Sequence, residues 1–496
     1  MTNALGQQAS WSNYNGLGQP GRMTDPNGVA TDYTYDAKGN ALTATQLLPS
    51  GNRVTTLAYN NNHHQPTDIT SADGRVVRFR YTASNRLNLV GNALNEFTQL
   101  NIDVPTNMTT SRSNRNTPSL SGATPVAVAA GEFVATTQRD SLGRPGQDIG
   151  NNGQLVTYGY DNNGNRKTRA DVAGRVASYD YDAQNRVTKF TTAPDGGITR
   201  YGYDVEGKLA SVTDPRNLVT RYTYNGLGDL LTRVSPDTGS TSYSYDTAGR
   251  LASETRANGA VIGYAWDKLG RMTLRSAGAV IEGYTYDEGT YGKGHLTRLN
   301  DATGQTTYTY AADGQLTQQM STIVGVSYTT TWSYDAAGRL AGMSYPNGLA
   351  LSYTYDATGR VSRVASNVAA WPTQADSFLY QPASERRYAW RFGNNLPRTV
   401  TQDTDGRITQ LASTGVQSLG YGFSTTNTNT ITSLTDNVYA GLNASLGYDS
   451  VNRLASVSKA GDDQSFAFAD LTNRTHQVRQ GLSYSYGLDG ASNRLT

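Results

Sequence analysis

One phrase recurs through this chain and constrains it more than any other feature. In "SYSYDTAGRLASETRANGAVIGYAWDKLGRM" (residues 242–272) the words "YSYDTAGRL" and "YAWDKLGRM" end 21 residues apart. The aromatic before the turn recurs at Tyr160, Tyr181, Tyr203, Tyr224, Tyr245, Trp266, Tyr286, Tyr310, Tyr334 and Tyr355, in steps of 20 to 24 residues, most often 21. Earlier copies lie at Tyr14, Tyr35 and Tyr81, with a weaker one at Tyr59, and later ones at Asp403, Tyr448 and Tyr486. A fixed short period filling a chain of 496 residues points to a repeat array rather than to three separate domains.

Each copy encodes a reversal. In "YDAAGRL" (Tyr334–Leu340) Asp335 is placed to accept backbone N–H groups two residues on, and Gly338 supplies a φ > 0 position. This is the chemistry of a type I turn followed by a glycine bulge. Asn185 and Asn452 stand where other copies have Gly, and Asn tolerates the left-handed region next best. The repeated set comprises Tyr35, Asp36 and Gly39; Tyr160, Asp161 and Gly164; Tyr181, Asp182, Asn185 and Arg186; Tyr203, Asp204 and Gly207; Tyr224 and Gly228. It continues with Tyr245, Asp246, Gly249 and Arg250; Trp266, Asp267, Gly270 and Arg271; Tyr334, Asp335, Gly338 and Arg339. The last copies are Tyr355, Asp356, Gly359 and Arg360, then Tyr448, Asp449, Asn452 and Arg453.

A second turn falls between successive copies, as in "DPNG" (Asp25–Gly28), "PDGG" (Pro194–Gly197), "SPDTG" (Ser235–Gly239), "RANG" (Arg256–Gly259) and "YPNG" (Tyr345–Gly348). The two turns alternate every 10 or 11 residues, which leaves room for strands of about six. In "RYTYN" Tyr222 and Tyr224 share one face while Arg221 and Thr223 share the other. The expected fold class is therefore all-β, with one antiparallel hairpin per repeat. On the order of forty strands at ~4.8 Å each would make a sheet on the order of 200 Å wide, which must twist and wind on itself. A β-propeller would need about twelve blades, beyond the usual range, and neighbouring units that differ. A wound, single-layer sheet is preferred.

Composition agrees. Apolar residues are 36%, too few for a thick two-layer core, and 33 Tyr against 9 Phe favour amphipathic aromatics on a half-wet surface. Lys is rare among the 42 basic residues, and Arg stacks on rings and forks to carboxylates better than Lys. The Arg that opens each return strand is expected to pair with the turn Asp or to stack on the aromatics entering its own hairpin.

Net charge is +2 without a basic block, so no nucleic-acid footprint appears. With no cysteine, disulfides and thiolate metal sites are excluded. The opening "MTNALGQQASWSNYNG" lacks the pattern of a signal peptide, and no apolar run approaches the ~20 residues of a membrane helix.

Catalytic and metal patterns fail on inspection. His63, His64, His295 and His476 are scattered. "DNNGNR" (Asp161–Arg166) starts like a Ca²⁺ loop but carries Arg166 and Val172 where Gly and Glu are required. "SVSK" (Ser456–Lys459) matches S-x-x-K on a predicted strand, without partner motifs. No catalytic constellation, metal site or cofactor is expected, and the chain reads as a non-enzyme.

Repeats such as "YDTAGRLASETRANG" and "YDATGRVSRV" resemble the YD repeats of bacterial Rhs proteins, of the C component of insecticidal Tc toxins and of the teneurin shell. The resemblance implies a hollow shell, a β-sheet spiralling round a cavity. In bacterial members it implies a C-terminal toxin held inside until delivery; in teneurins it implies adhesion. The expected partners are thus an enclosed effector or the rest of the shell, with cell-surface glycans as the alternative. The expected localisation is secreted or delivered to a cell surface. A core segment with "DPxG"-type motifs is not matched, since "DPNG" at Asp25 and "DPRN" at Asp214 read as inter-repeat turns. The chain starts close to one copy and stops inside "YSYGLDGASNRLT", so residues 1–496 are expected to be one array open at both ends, a piece of a larger shell. Residues 82–138 and 365–400 break the pattern. "SRSNRNTPSLSGATPVAVAAGEF" (residues 111–133) reads as loop-like, and Trp371, Tyr388 and Trp390 form a candidate ligand surface.

Overall fold

The computed structural model describes all residues apart from 61–62, 193–195, 427–428, 470–472 and 495–496. Pro194 and Asp195 of the "PDGG" turn thus lie outside the described residues. The chain is all-β: among the described residues 43 strands, from Ser10–Tyr14 to Leu482–Ser485, belong to one sheet. Strands pair antiparallel with their neighbours in the chain, as Ser10–Tyr14 does with Pro20–Thr24 and Pro20–Thr24 with Ala30–Tyr35. Among the described residues one 3₁₀ turn, Ala440–Leu442, interrupts them.

The tyrosine turn has the geometry its residues imply. Asp335 N–H donates to the Arg339 carbonyl at 2.8 Å, and Gly338 N–H donates to the Asp335 carbonyl at 2.9 Å. Asp335 Oδ1 accepts the N–H groups of Ala337 and Arg339. The ladder shifts register between Ser333 and Tyr334, which is the bulge. Gly338 sits at φ +82°, and Asn185 and Asn452 take the same region at +61° and +68°. The "YPNG" turn repeats this pattern, with Tyr345 N–H on Leu349 O and Gly348 N–H on Tyr345 O. "DPNG" and "DPRN" are likewise hairpin turns, closed by Asp25 N–H on Val29 O and Asp214 N–H on Leu218 O.

The sheet is thin. Among the described residues only seven apolar side chains are buried, among them Val29, Leu48, Ile262 and Ala312, so the apolar core is small. Most strand residues are half-buried, and the strand Val219–Tyr224 alternates as expected, with Arg221 and Thr223 exposed and both tyrosines half-buried.

The chain divides into two compact units. One comprises Met1–Gln99, Tyr245–Glu254 and Ala260–Leu396; the other comprises Leu100–Ser244, Thr255–Gly259 and Pro397–Thr496. Each therefore contains an early and a late stretch of repeats.

Residues 111–133 are not a loop. They lie in the longest hairpin of the chain, formed by strands Met108–Ser121 and Thr124–Arg139, with a bulge between Asn114 and Asn116. The hairpin is twice the usual length, so the tyrosine marker is missing although strand pairing continues. Its Ser, Asn, Gly and Pro content mimics a loop, while the Val and Thr residues retain strand propensity. In the second irregular region, strands Thr373–Tyr380 and Arg387–Phe392 pair across a register shift in which Ser377 adopts φ +53°.

Candidate functional site

The repeated phrase is a joint between consecutive hairpins. The Asp of each turn uses Oδ1 for the backbone and offers Oδ2 to the Arg four residues on. Arg339 Nε donates to Asp335 Oδ2 at 2.8 Å. The guanidinium then lies over the aromatic of the next repeat, with its carbon 4.4 Å from the Tyr355 ring centroid. Tyr355 in turn donates its hydroxyl to the carbonyl of Leu340, the residue after Arg339, at 2.7 Å. The same three contacts link Asp182, Arg186 and Tyr203 (2.7 Å, 4.3 Å, and 2.8 Å to Val187 O). They also link Asp267, Arg271 and Tyr286 (2.7 Å, 4.4 Å, and 2.9 Å to Met272 O). Trp266 substitutes its indole N–H, which donates to Leu251 O at 2.7 Å beside the Asp246–Arg250 pair. Arg407 and Arg453 stack on Phe423 and Phe468 instead.

The arginine thus meets the ring of the following repeat, not the aromatics entering its own hairpin. The return strand carries the arginine away from its own turn and toward the next strand, which brings the next aromatic beside it. Copies without Arg keep part of the joint. Asp36 and Asp161 bind Asn40 and Asn165 through Oδ2, and Lys208, after Asp204 and Gly207, reaches Tyr224 at 5.6 Å. Gly228 closes a turn in which Asn225 takes the place of Asp.

The electrostatics follow the joint. The Asp246 carboxyl is held below its usual value by the Arg250 guanidinium and N–H. For Asp335 burial works upward, but the Arg339 N–H and guanidinium outweigh it and the carboxyl is lowered. Asp287, paired to Arg271 at 2.5 Å, falls to about 2, chiefly through that hydrogen bond. Burial raises the Tyr355 and Tyr286 hydroxyls.

The turns also carry contacts between distant repeats. In the first unit, Asn27 Nδ2 donates to Lys293 O and Lys293 N–H donates to Asn27 Oδ1, both at 3.1 Å. Farther along, Arg53 pairs with Asp313 at 2.9 Å, Arg339 with Asp73 at 2.9 Å, and Arg360 with Glu96 at 3.0 Å. These partners are separated by 260 to 266 residues. In each case a turn of the second type from the early stretch meets a tyrosine-type turn from the late stretch. Val29, Leu48, Ala312 and Tyr291 pack at this seam, and a cavity of about 310 Å³ lies beside it, lined by Arg53, Asp313, Trp332 and Tyr334 among others.

The second unit has its own seam with different chemistry. Asp405 accepts Asn151 N–H at 2.8 Å, Asn151 Nδ2 at 2.7 Å and Gln154 Nε2 at 3.1 Å. Arg175 bonds Asn452, and Arg216 donates to the carbonyls of Ser492 and Asp489. Here the separations run from 251 to 287 residues. Amides and carbonyls replace the ion pairs of the first unit. Sequence reading missed Arg53, Asp73, Glu96, Asn151, Gln154 and Arg216, because the 21-residue period says nothing about which turns meet some 260 residues apart.

The candidate ligand surface is not assembled. Tyr388 is 1% exposed and offers no ring to a ligand, since its strand pairs within the irregular hairpin. Trp390 is half-buried, edge-on to Phe392 and under Arg387. Trp371 alone stands out, 67% exposed in the turn before Thr373. The histidines are dispersed: His64 bonds Asn40, His295 stacks on Tyr310, and His476 sits between Ser483 and Ser485. Ser456–Lys459 lies on the strand Leu454–Lys459, and Asp161–Arg166 is a hairpin turn. Among the described residues no group of three or more His, Cys, Asp or Glu could hold a metal ion. Among the described residues no helix is long and apolar enough to cross a membrane.

Residues 147–265 match the Teneurin YD-shell family, and residues 14–53, 312–350 and 334–367 match the RHS Repeat. A curated relative, "Probable deoxyribonuclease RhsB" of Dickeya dadantii (strain 3937), is 33% identical over 268 residues. That match takes in 50% of this chain and 18% of the relative, so the chain spans less than a fifth of its length. Among solved structures, TcdB2-TccC3 without its hypervariable C-terminal region aligns with a TM-score of 0.72 at 14% identity. It takes in 100% of this chain and 34% of the other. A Photorhabdus luminescens Tc holotoxin pore aligns at 0.70 and 13%, over 99% and 34%. At this identity the likeness is one of fold.

Proposed function

We propose that this RHS-repeat, YD-shell chain serves as structural wall, part of a shell that encloses a toxin-type effector carried outside the residues described. The observation that supports this reading best is the pair of seams. Within each unit, turns some 260 residues apart are joined by specific ion pairs or amide hydrogen bonds, so the hairpin tips on facing edges are mutually satisfied. A thin sheet with few buried side chains gains little from a core, and joining tip to tip lets it act as a continuous barrier. The stretch works without catalysis: its repeated phrase is consumed by turn, joint and seam.

The relatives' names point the same way, toward a deoxyribonuclease in one case and a holotoxin pore in the other. Delivery outside the producing cell belongs to this proposal. The test is to express the complete gene with its downstream region and expose the product to protease. The reading expects the downstream domain to survive until Arg339 and Arg360 are both changed to Ala. A downstream domain digested equally fast in both proteins refutes enclosure.

A further inference from the structure

We propose that the tyrosine-type turns of the early stretch in the second unit form a docking edge for another RHS-repeat segment, recognised through an aspartate and an arginine on its hairpin turns. This rests on the shell reading above and names the chemistry of one joint in it. The two seams supply the rule. In the first unit, Arg75, at the end of the turn that Ser71 opens, packs on the glycine of a late turn: a Cβ at Gly359 would stand 2.7 Å from Arg75 Nε. Asp73 of the same turn accepts Arg339 Nη1 at 2.9 Å. Arg53 covers Gly338 likewise, its Cζ 2.8 Å from where a Cβ would stand. In the second unit Asn takes the place of that glycine. Arg216 Nη1 donates to Asn493 Oδ1 at 3.1 Å, Asn493 Nδ2 donates to Asp214 Oδ2 at 2.9 Å, and Arg175 donates to Asn452 Oδ1. In all four contacts the arginine of a second-type turn sits on the Gly or Asn that precedes a return-strand arginine.

The same receiving turn recurs in the second unit at 140–144, 161–165, 182–186, 204–208 and 225–229. Residues 403–407, a turn inside the seam, are half-buried, whereas 162–164 and 183–185 are exposed. Leu142 and Leu227, at the tips, are 75% and 89% exposed. The five turns carry six carboxylates against three cations, Arg144, Arg186 and Lys208, so the edge attracts an incoming arginine.

The arginines already on this edge fit the same exchange. Arg186 holds Asp182 through Nε, and its Nη1 faces Gly207, 2.9 Å from where a Cβ would stand. Arg339 shows the docked arrangement. It keeps Nε on Asp335, gives Nη1 to the acid of the facing turn and leaves the next glycine to that turn's arginine. Docking is therefore reciprocal, one acid and one arginine from each incoming turn. A second copy of this chain is not the occupant, because its own turns of this kind, Asp73 with Arg75 and Asp214 with Arg216, are engaged in its seams.

Disulfide capture on the full chain, which has no cysteine of its own, tests the edge. The probe is a cyclised hairpin of residues 70–77, TSADGRVV, closed through a linker that carries a thiol. It is equilibrated with Leu227→Cys in a thiol-exchange buffer, and mass spectrometry reads the fraction captured. The hairpin should be captured about tenfold more strongly than versions with Arg75→Ala or Arg75→Lys, since lysine lacks the planar fork. Val451→Cys, in a turn the seam already covers, should show no such preference. Equal capture of the Arg and Ala hairpins at Leu227→Cys overturns the proposal, and so does the same preference at Val451→Cys. A dimer of the unmodified chain in sedimentation that the hairpin dissolves also overturns it, by giving the edge to a second copy. No effector takes part, so failure here leaves the protease test of enclosure standing, and failure of enclosure leaves the capture result standing.

Discussion

Replacing Arg339 with Ala removes three contacts at once, and the structure sets the cost of each. The Asp335 pair is a half-exposed ion pair at 2.8 Å, worth about 0.5–1 kcal/mol. The stack on Tyr355 at 4.4 Å adds about 0.5–1 kcal/mol. The third contact reaches across the seam to Asp73, whose side chain is 6% exposed. Asp73 keeps Arg75 at 2.7 Å, so it is not stranded, and the loss there is about 1–2 kcal/mol rather than the larger penalty of an uncompensated buried charge. Together Arg339→Ala should cost about 2–4 kcal/mol. Arg186→Ala is the reference. It has the same joint, with Asp182 and Tyr203, and no bond to a distant turn among the described residues, so it should cost about 1–2 kcal/mol. A repeat array need not unfold in one step, so hydrogen exchange resolved by segment is the assay, alongside urea unfolding. Arg339→Ala should speed exchange at 71–75 as well as at 335–340. Equal costs for the two substitutions, or no effect at 71–75, would refute the seam as a source of stability.

Other outcomes follow from the same geometry. Tyr355→Phe removes only the hydroxyl bond to Leu340 and should cost about 0.5–1.5 kcal/mol by urea unfolding. Gly249→Ala places a side chain at φ +76° in open space and should cost about 1 kcal/mol, while Gly249→Asn should cost less because Asn tolerates that region. The turn carboxylates have folded values below their unfolded ones, so the stability they add is full above about pH 4 and is lost as pH falls through the folded values, which for Asp287 means near pH 2. Acid unfolding followed by circular dichroism should therefore set in below about pH 4, and Asp287→Asn should flatten its lowest portion.

Much of this fold could be read from the chain. The spacing of Tyr245, Trp266 and Tyr286 gave hairpin length, and Asp246 with Gly249 gave the turn, because both depend on interactions a few residues apart. What escaped depends on longer range. Arg250 and its equivalents could be assigned to Asp by spacing, but their ring partner lies in the next repeat, and strand direction decides that. The seam residues escaped entirely, since any charged turn residue on the correct edge could have met any other. The 111–133 hairpin was hidden by its composition, which suits a solvated ribbon as well as it suits a loop. Tyr388 was grouped with Trp371 and Trp390 because all three are aromatics in a stretch that breaks the repeat, and burial of one residue in an irregular hairpin leaves no local mark.

The absence of cysteine makes a direct measurement of the seam possible. Asn27 and Lys293, replaced together by Cys, should form a disulfide under mild oxidation in the folded chain, closing a loop across 266 residues, whereas Cys at Asn27 and Ala337 should not. Efficient bonding of the first pair alone is the result this account requires. Failure of the first pair to close, or equal closure of both, would contradict a wall whose edges are joined turn to turn.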